Sequence, residues 1–404
     1  MPYQCVNKER KIYFKKDYAE ALRGAAKIIF DFDGVLVQSS HSYRQTIRRV
    51  IDYYFLEILS LEGARGKLTT LGEIQSFKDT GLFNNDWTLT HAIITYYLTL
   101  LMRKLQKRQI LEDFMKRFRG IHYSDVGAFL QTLGEIGDFL RRNGMNATEL
   151  IAMKNDSSIG IKALLARVGL ENQPSPEVTF RLVLPQAGEK ELGLIEKLVP
   201  YRLETPDLLK HLFEESYLGE ELFSKFYDVP SIFKFDESFL EKEEVVPTKE
   251  ILKALFLRFG EFGIYSEKPK AQGMYLLEKN GLKGYFNESV CVFQEDLVKT
   301  EKIYHRDGER IQLGKPNPTL FIRTVEKVGG AGGTVYVGDS VADALLVENA
   351  RLQGLYNILF FGVLCSSRYP SQLLPRFIEH NADAVMTDMN DIPRLYAHLE
   401  GKIQ

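Results

Sequence analysis

The chain has 404 residues, more than the roughly 250–300 at which a single hydrophobic core stops growing, so two domains are expected. Hydrophobic residues make up 45%, aromatic residues 12% and charged residues 26%, a globular profile that argues against long disordered stretches. Against 54 acidic side chains stand 52 basic ones, and a net charge of -2 offers no basic footprint for a nucleic acid.

Cys5, Cys291 and Cys365 are odd in number and far apart, which fits neither a disulfide scaffold nor a structural zinc site. The first thirty residues carry Lys8, Glu9, Arg10 and Lys11 in place of the apolar run of a signal peptide. The most apolar helical stretch, Ala92 to Met102, is shorter than the ~20 residues that cross a bilayer. A reducing cytoplasm is the expected setting, with neither membrane nor nucleic acid as partner; oligomeric state is not legible.

Taken in order, residues 15 to 24 read as a helix ended by Gly24. Ile28, Ile29 and Phe30 follow as a short strand, a β-branched apolar run suited to a position buried on both faces of a parallel sheet. Asp31 and Asp33 stand at its C-terminal end, and Gly34 allows a sharp turn there. By itself this is equally a strand with an acidic turn. A calcium loop is disfavoured, because it needs alternating ligands with a glycine at its sixth position.

Tyr43, Ile47, Val50, Ile51 and Tyr54 then recur at helical spacing, and helical signals continue to about residue 145. Polar breaks at Asn155 to Ser158 and Asn172 to Pro176 divide the following region. Val178 to Leu184 reads as a possible strand, and Thr205-Pro206-Asp207 as a capped helix start. From Thr248 helix and strand alternate: helices at 251–258, 272–280, 318–328, from 342 and at 371–380, strands at 262–265, 290–293, 334–337, 357–361 and 384–386. A hairpin is expected near Asp307-Gly308. The alternation predicts a parallel, doubly wound α/β sheet. The glycine run 329–333 lacks a following Gly-Lys-Ser/Thr and reads as a connector.

Three further segments end strands or open helices of this sheet. They are Gly263-Ile264-Tyr265-Ser266, Gly314-Lys315-Pro316-Asn317-Pro318 and Gly338-Asp339-Ser340-Val341-Ala342-Asp343. Each has a plain structural explanation alone: a strand-end cap at Ser266, a solvated lysine at Lys315, an acid facing a helix dipole at Asp343. In order, together with Asp31-x-Asp33-Gly34-Val35, they resemble the four motifs of the haloacid dehalogenase superfamily of phosphotransferases.

The resemblance implies a Rossmann-like core, residues 1–38 and 246–404, and a phosphatase acting on a small phosphorylated metabolite. It assigns Asp31 as nucleophile, forming an aspartyl-phosphate, and Asp33 as the acid and base that serves the leaving oxygen and the attacking water. The family's dehalogenases generally lack that second acid, so phosphoryl transfer is implied. Mg2+ is implied as cofactor, held by Asp31, the Asp33 backbone carbonyl and Asp339, with Asp343 binding directly or through water. Lys315 would neutralise Asp31 and the phosphoryl group, with Ser266 and Gly34 also against the phosphate. A phosphomutase of the same fold and a non-catalytic binding protein that kept the fold are the alternatives.

Asp33 and Ser266 are 233 positions apart, far more than a crossover needs. In this superfamily such an insert is a mainly helical cap, here residues 39–245, larger than the usual four-helix form and unmatched around 159–201. Arg44 and Asn85 resemble cap residues that face substrate in related members. The competing readings are a salt-bridging Arg44 and an Asn85 that caps the helix after it.

Overall fold

The computed structural model describes residues 3–7, 11–78, 80, 83, 85–121, 125–168, 188–199, 208–306, 308, 311–329, 332–367 and 369–402. The sequence readings at 172–176, 178–184, 205–207, Asp307 and 330–331 lie outside these residues. Two compact units divide the chain, Met1–Ser40 with Glu243–Gln404, and His41–Lys242.

The first unit is an α/β sheet of the Rossmann-like, doubly wound kind. Its strands are β1 (Tyr3–Asn7), β2 (Ile12–Lys15), β3 (Lys27–Phe30), β6 (Phe262–Tyr265), β7 (Phe286–Val292), β8 (Thr334–Gly338), β9 (Ile358–Val363) and β10 (Ala384–Met386), in the order β1-β2-β10-β9-β8-β3-β6-β7. A separate ribbon pairs β4 (Val37–Gln38) antiparallel with β5 (Glu244–Val245). From β10 to β7 every pair is parallel. Such strands must bury both faces, and β6, β8, β9 and β10 are buried at every position.

Alternate residues of these strands face opposite layers. On one face Ile29, Tyr265, Tyr336 and Phe360 pack with Phe321, Val325, Val347 and Phe377 from the helices Thr319–Val328, Val341–Leu352 and Pro370–Glu379. On the other, Phe361 meets Tyr396 of the helix Ile392–Leu399, which also packs on Phe259 of the helix Lys249–Phe259. Because Phe30 pairs with both Val337 and Ile264, the C-terminal ends of β3, β6 and β8 reach one rim together. Connections diverge from β3 to either side, and in open α/β sheets that switch point is where ligands bind.

Three sequence readings change. The antiparallel pair β1–β2 was not anticipated; β2 joins the sheet through β10, with Ala384 opposite Phe14. Where a hairpin was expected the chain forms the helix Gln294–Arg306, and no strand flanks Gly308 among the described residues. Its two acids at the start and two basic groups at the end, Glu295, Asp296, His305 and Arg306, suit a helix dipole, a signal the turn dipeptide masked. The helix Ile392–Leu399 is also additional, opening with a proline in its first turn.

The second unit is helical in every described regular element. A long helix, Asp86–Lys107, lies at its centre and is buried without interruption from Leu89 to Met102. A helix apolar all round belongs inside a core, and here it joins residues from Ile47 to Phe233 in one cluster. Its polar groups are satisfied locally: Thr90 and Thr99 donate to carbonyls one turn back, and the Tyr96 hydroxyl donates to the Ile159 carbonyl. No described helix is long and apolar enough to cross a membrane.

The far edge of the first unit turns on one acid. Asp383 is fully buried, pairs with Arg351, and accepts the Phe360 N–H at 2.7 Å, with the Lys15 ammonium 3.7 Å away. Removing one partner of such a pair strands the other, which costs about 3–5 kcal/mol. Asp383→Ala is therefore expected to lower the thermal midpoint sharply in a melting experiment. A midpoint within a degree or two of wild type would contradict this reading of the edge.

Candidate active site

The rim of β3, β6 and β8 gathers most of the residues that the motifs single out. Asp31 follows β3 directly; its N–H donates to the Val337 carbonyl at 2.9 Å, which continues the β3–β8 ladder and fixes the backbone under the side chain. The Phe32 N–H donates to Asp31 Oδ1 at 2.7 Å. The chain then doubles back, the Leu36 N–H donating to the Phe32 carbonyl and the Gly34 N–H to the Val37 carbonyl. Gly34 has a φ of +75°. A Cβ there would collide with the Asp339 carboxylate and stand 2.9 Å from the Ser366 Cβ. Only glycine lets the two strand ends approach so closely.

Lys315 reaches in from the loop before the helix Thr319–Val328. Its ammonium lies 2.7 Å from Asp31 Oδ2 and 2.8 Å from Asp343 Oδ1, and all three side chains are nearly or fully buried. Asp343 is heavily engaged. The Tyr336 hydroxyl donates to Oδ1 at 2.8 Å, while the Ser340 N–H and hydroxyl donate to Oδ2 at 3.0 and 2.6 Å. With Ser340 it forms a capping box on the helix Val341–Leu352, so the acid that closes the helix N-terminus also holds the lysine.

Asp31, Asp339 and Asp343 present carboxylate oxygens all within 4.8 Å of one another. Each group answers to this crowding differently. Burial pushes the Asp31 carboxyl well above the ordinary carboxylate range, with Asp343 and Asp339 adding to the effect and Lys315 opposing it. Burial also pushes Asp339 up to about 7, with Asp343 contributing and a hydrogen bond from Ser366 working against it. Asp343 goes the other way: Lys315, Ser340 and Tyr336 outweigh burial and hold it below its usual value. The Lys315 ammonium stays charged because Asp31 and Asp343 more than offset its burial. One ammonium among three acids leaves uncompensated negative charge, the chemistry of a hard-cation site with oxygen donors.

Ser266 follows β6 on the same rim and is buried; its N–H donates to the Val292 carbonyl and its hydroxyl accepts the Lys268 N–H at 3.3 Å. Asp33 is partly exposed, and its Oδ1 lies 2.9 Å from the ammonium of Lys268. Lys268 was not singled out from sequence, although a lysine two residues past Ser266 on a buried strand end was a usable signal. Ser366 and the neighbouring Cys365, 3.6 Å from the Gly34 carbonyl, were also missed. They sit on the loop after β9, which carries no motif.

Arg44 and Asn85 belong to the helical unit. The Asn85 side chain accepts the Thr88 N–H at 3.0 Å and caps the helix Asp86–Lys107, and Arg44 pairs with Gln75.

A family model described as haloacid dehalogenase-like hydrolase matches residues 27–351, a span that holds all four motif segments. Among solved structures, the X-ray structure of a Northeast Structural Genomics Consortium target is similar over 93% of this chain and 99% of that chain, with a TM-score of 0.63 and 19% identity. That likeness is one of fold. Phosphatase Tt82 from Thermococcus thioreducens aligns over 93% of this chain and 99% of that chain, with a TM-score of 0.47 and 17% identity. No curated protein matches the chain in sequence.

The elevated carboxyls make cation binding and stability depend on pH together. Unfolded carboxyls titrate near 4, so the folded chain holds extra protons up to about pH 7 at Asp339, and without a cation its stability falls as pH rises through that window. A divalent cation must displace those protons. Mg2+ is therefore expected to raise the thermal midpoint more at pH about 8 than at pH about 6, and Asp339→Asn is expected to remove most of the difference. Equal shifts at the two pH values would contradict a cation site at these acids.

Proposed function

This chain belongs to the haloacid dehalogenase-like hydrolases, and from that premise we propose that it is a Mg2+-dependent phosphatase of a small phosphorylated metabolite. The observation that carries the reading is Lys315, held between Asp31 and Asp343 beside Asp339. A nucleophilic carboxylate needs to be ionised yet close to an anionic phosphoryl group. A fixed ammonium touching its oxygen serves both needs.

In this reading Asp31 attacks the phosphorus atom, and the bond from phosphorus to the ester oxygen breaks. Asp33 gives its proton to that oxygen, so a neutral alcohol leaves and Asp33 is left ionised. The same carboxylate then takes a proton from a water molecule as the water attacks the phosphorus of the aspartyl-phosphate. Inorganic phosphate departs and Asp31 is restored. Ser266 donates a hydrogen bond to a phosphoryl oxygen, and Lys315 stays charged throughout, compensating the developing negative charge. When bound by Asp31, the Asp33 backbone carbonyl and Asp339, Mg2+ supplies the positive charge that offsets repulsion between nucleophile and phosphate. Both oxygens of Asp343 already accept hydrogen bonds within the chain, which favours its acting through Lys315 and through water.

Residues 1–38 and 246–404 form the catalytic core in this reading, and residues 39–245 a mainly helical cap domain that selects the substrate. The ribbon β4–β5 lies where the chain leaves and re-enters the core, a natural place for hinges. Arg44 and Asn85 serve the architecture of the helical unit, given the partners they already have there.

Purified protein with Mg2+ is expected to release phosphate from at least one phosphomonoester in a metabolite panel, and EDTA to abolish the release. Asp31→Asn removes a buried charge at little steric cost, so the fold should persist while turnover falls by roughly 10³-fold or more. Isomerised sugar phosphate without free phosphate would replace the phosphatase by a mutase. Near-normal turnover in Asp31→Asn would refute the nucleophile.

A further inference from the structure

A second charged cluster lies beside the first, and of its members the steps above use Asp33 alone. Lys268 is fully buried, its ammonium 2.9 Å from Asp33 Oδ1 and 3.4 Å from Glu243 Oε2, and Glu243 is fully buried as well. The ammonium also stands 5.6 Å from the centre of the Phe32 ring. We propose that Lys268, held in place by Glu243, is a positioning residue that fixes the carboxyl of Asp33 toward the leaving oxygen. The proposal rests on the reading of Asp33 as the acid.

Three observations carry it. Burying an ammonium is costly unless carboxylates meet it, so a wholly buried lysine on a strand end is held there by the groups it pairs with. One of those groups is Asp33, the side chain whose direction the leaving-group step depends on. Asp33 is partly exposed on a tight loop, so the direction of its carboxyl is set by the groups that pair with it.

The second partner is placed by the ribbon. Glu243 directly precedes β5, whose Val245 and Glu244 pair with Val37 and Gln38 of β4, and the Val246 N–H donates to the Leu36 carbonyl at 2.9 Å. The segment that carries Glu243 is thus held beside the one that carries Asp33. On the third side, the Lys268 N–H donates to the Ser266 hydroxyl, which ties the lysine backbone to the end of β6. Lys268 thus ties the end of β6 to two segments distant in sequence, those of Asp33 and Glu243, and its charged end lies on Asp33.

A residue that only stabilises the fold would affect all substrates alike. A residue that aims the acid matters in proportion to how much the leaving oxygen needs a proton. The constant kcat/KM covers steps through leaving-group departure, so it reads this need directly. It is measured for p-nitrophenyl phosphate, whose leaving group departs unprotonated, and for an alkyl phosphate that the wild type hydrolyses.

Lys268→Met is expected to lower kcat/KM for the alkyl phosphate roughly ten- to a hundredfold and to leave that for p-nitrophenyl phosphate within about threefold. In an Asp33→Asn background it should cause no further loss on the alkyl phosphate, because Lys268 acts through Asp33. Lys268→Met alone strands Glu243, so the double variant Lys268→Met/Glu243→Gln, which removes both charges, is measured beside it and should show the same substrate dependence. Equal losses on the two substrates, or no loss on either, would overturn the proposal. If Asp31→Asn retains activity, the phosphatase reading itself fails. If Asp31→Asn is inactive and Lys268→Met shows no substrate dependence, only the role of Lys268 falls.

Discussion

One ammonium holds the centre of this site. Lys315 joins Asp31 and Asp343 across the ends of β3 and the helix that follows β8, deep enough that neither acid can be hydrated freely. Three carboxylates within 4.8 Å would otherwise repel in a poorly polarisable setting. The lysine compensates one of them, Tyr336 and Ser340 stabilise the ionised form of Asp343, and the cost of the crowding falls on Asp31 and Asp339, whose carboxyls are pushed up. A site built this way concentrates oxygen donors and negative charge in a buried setting, the donor chemistry of a hard cation.

The sheet makes that concentration of charge possible. Parallel strands end at the same rim, and the connections diverge on either side of β3, the place where open α/β sheets bind their ligands. Phe30 pairs with Val337 and Ile264, so the residues that follow are brought level by backbone hydrogen bonds before any side chain contributes. Gly34 removes the last obstacle by leaving space for the Asp339 carboxylate. Function here is a consequence of register: a slip of one residue in β3 would turn Asp31 to the other side of the sheet.

The parallel core was legible because buried strands leave continuous apolar runs, and each of the strands from β3 to β10 in the core appears near its expected position. What failed was short or edge structure. β1 and β2 pair antiparallel and carry polar residues such as Gln4 and Lys15, so their composition did not separate them from loop. The helix Gln294–Arg306 was obscured by the Asp307-Gly308 dipeptide beyond it, a turn signal that reports on one step of the chain and not on what precedes it. At the site, Asp31, Lys315, Asp339 and Asp343 were nameable because the order of the motifs marks them. Lys268 and Ser366 were not, because their partners, Asp33 and Asp339, lie 235 and 27 positions away and only the fold brings them together.

The most direct measurement is to stop turnover of a phosphomonoester with acid and locate the phosphoryl group by peptide mass spectrometry. The account predicts an acid-stable, base-labile adduct on the peptide that contains Asp31, absent from Asp31→Asn. A phosphoryl group on another residue, or turnover with no adduct on any carboxylate at any time point, would contradict it.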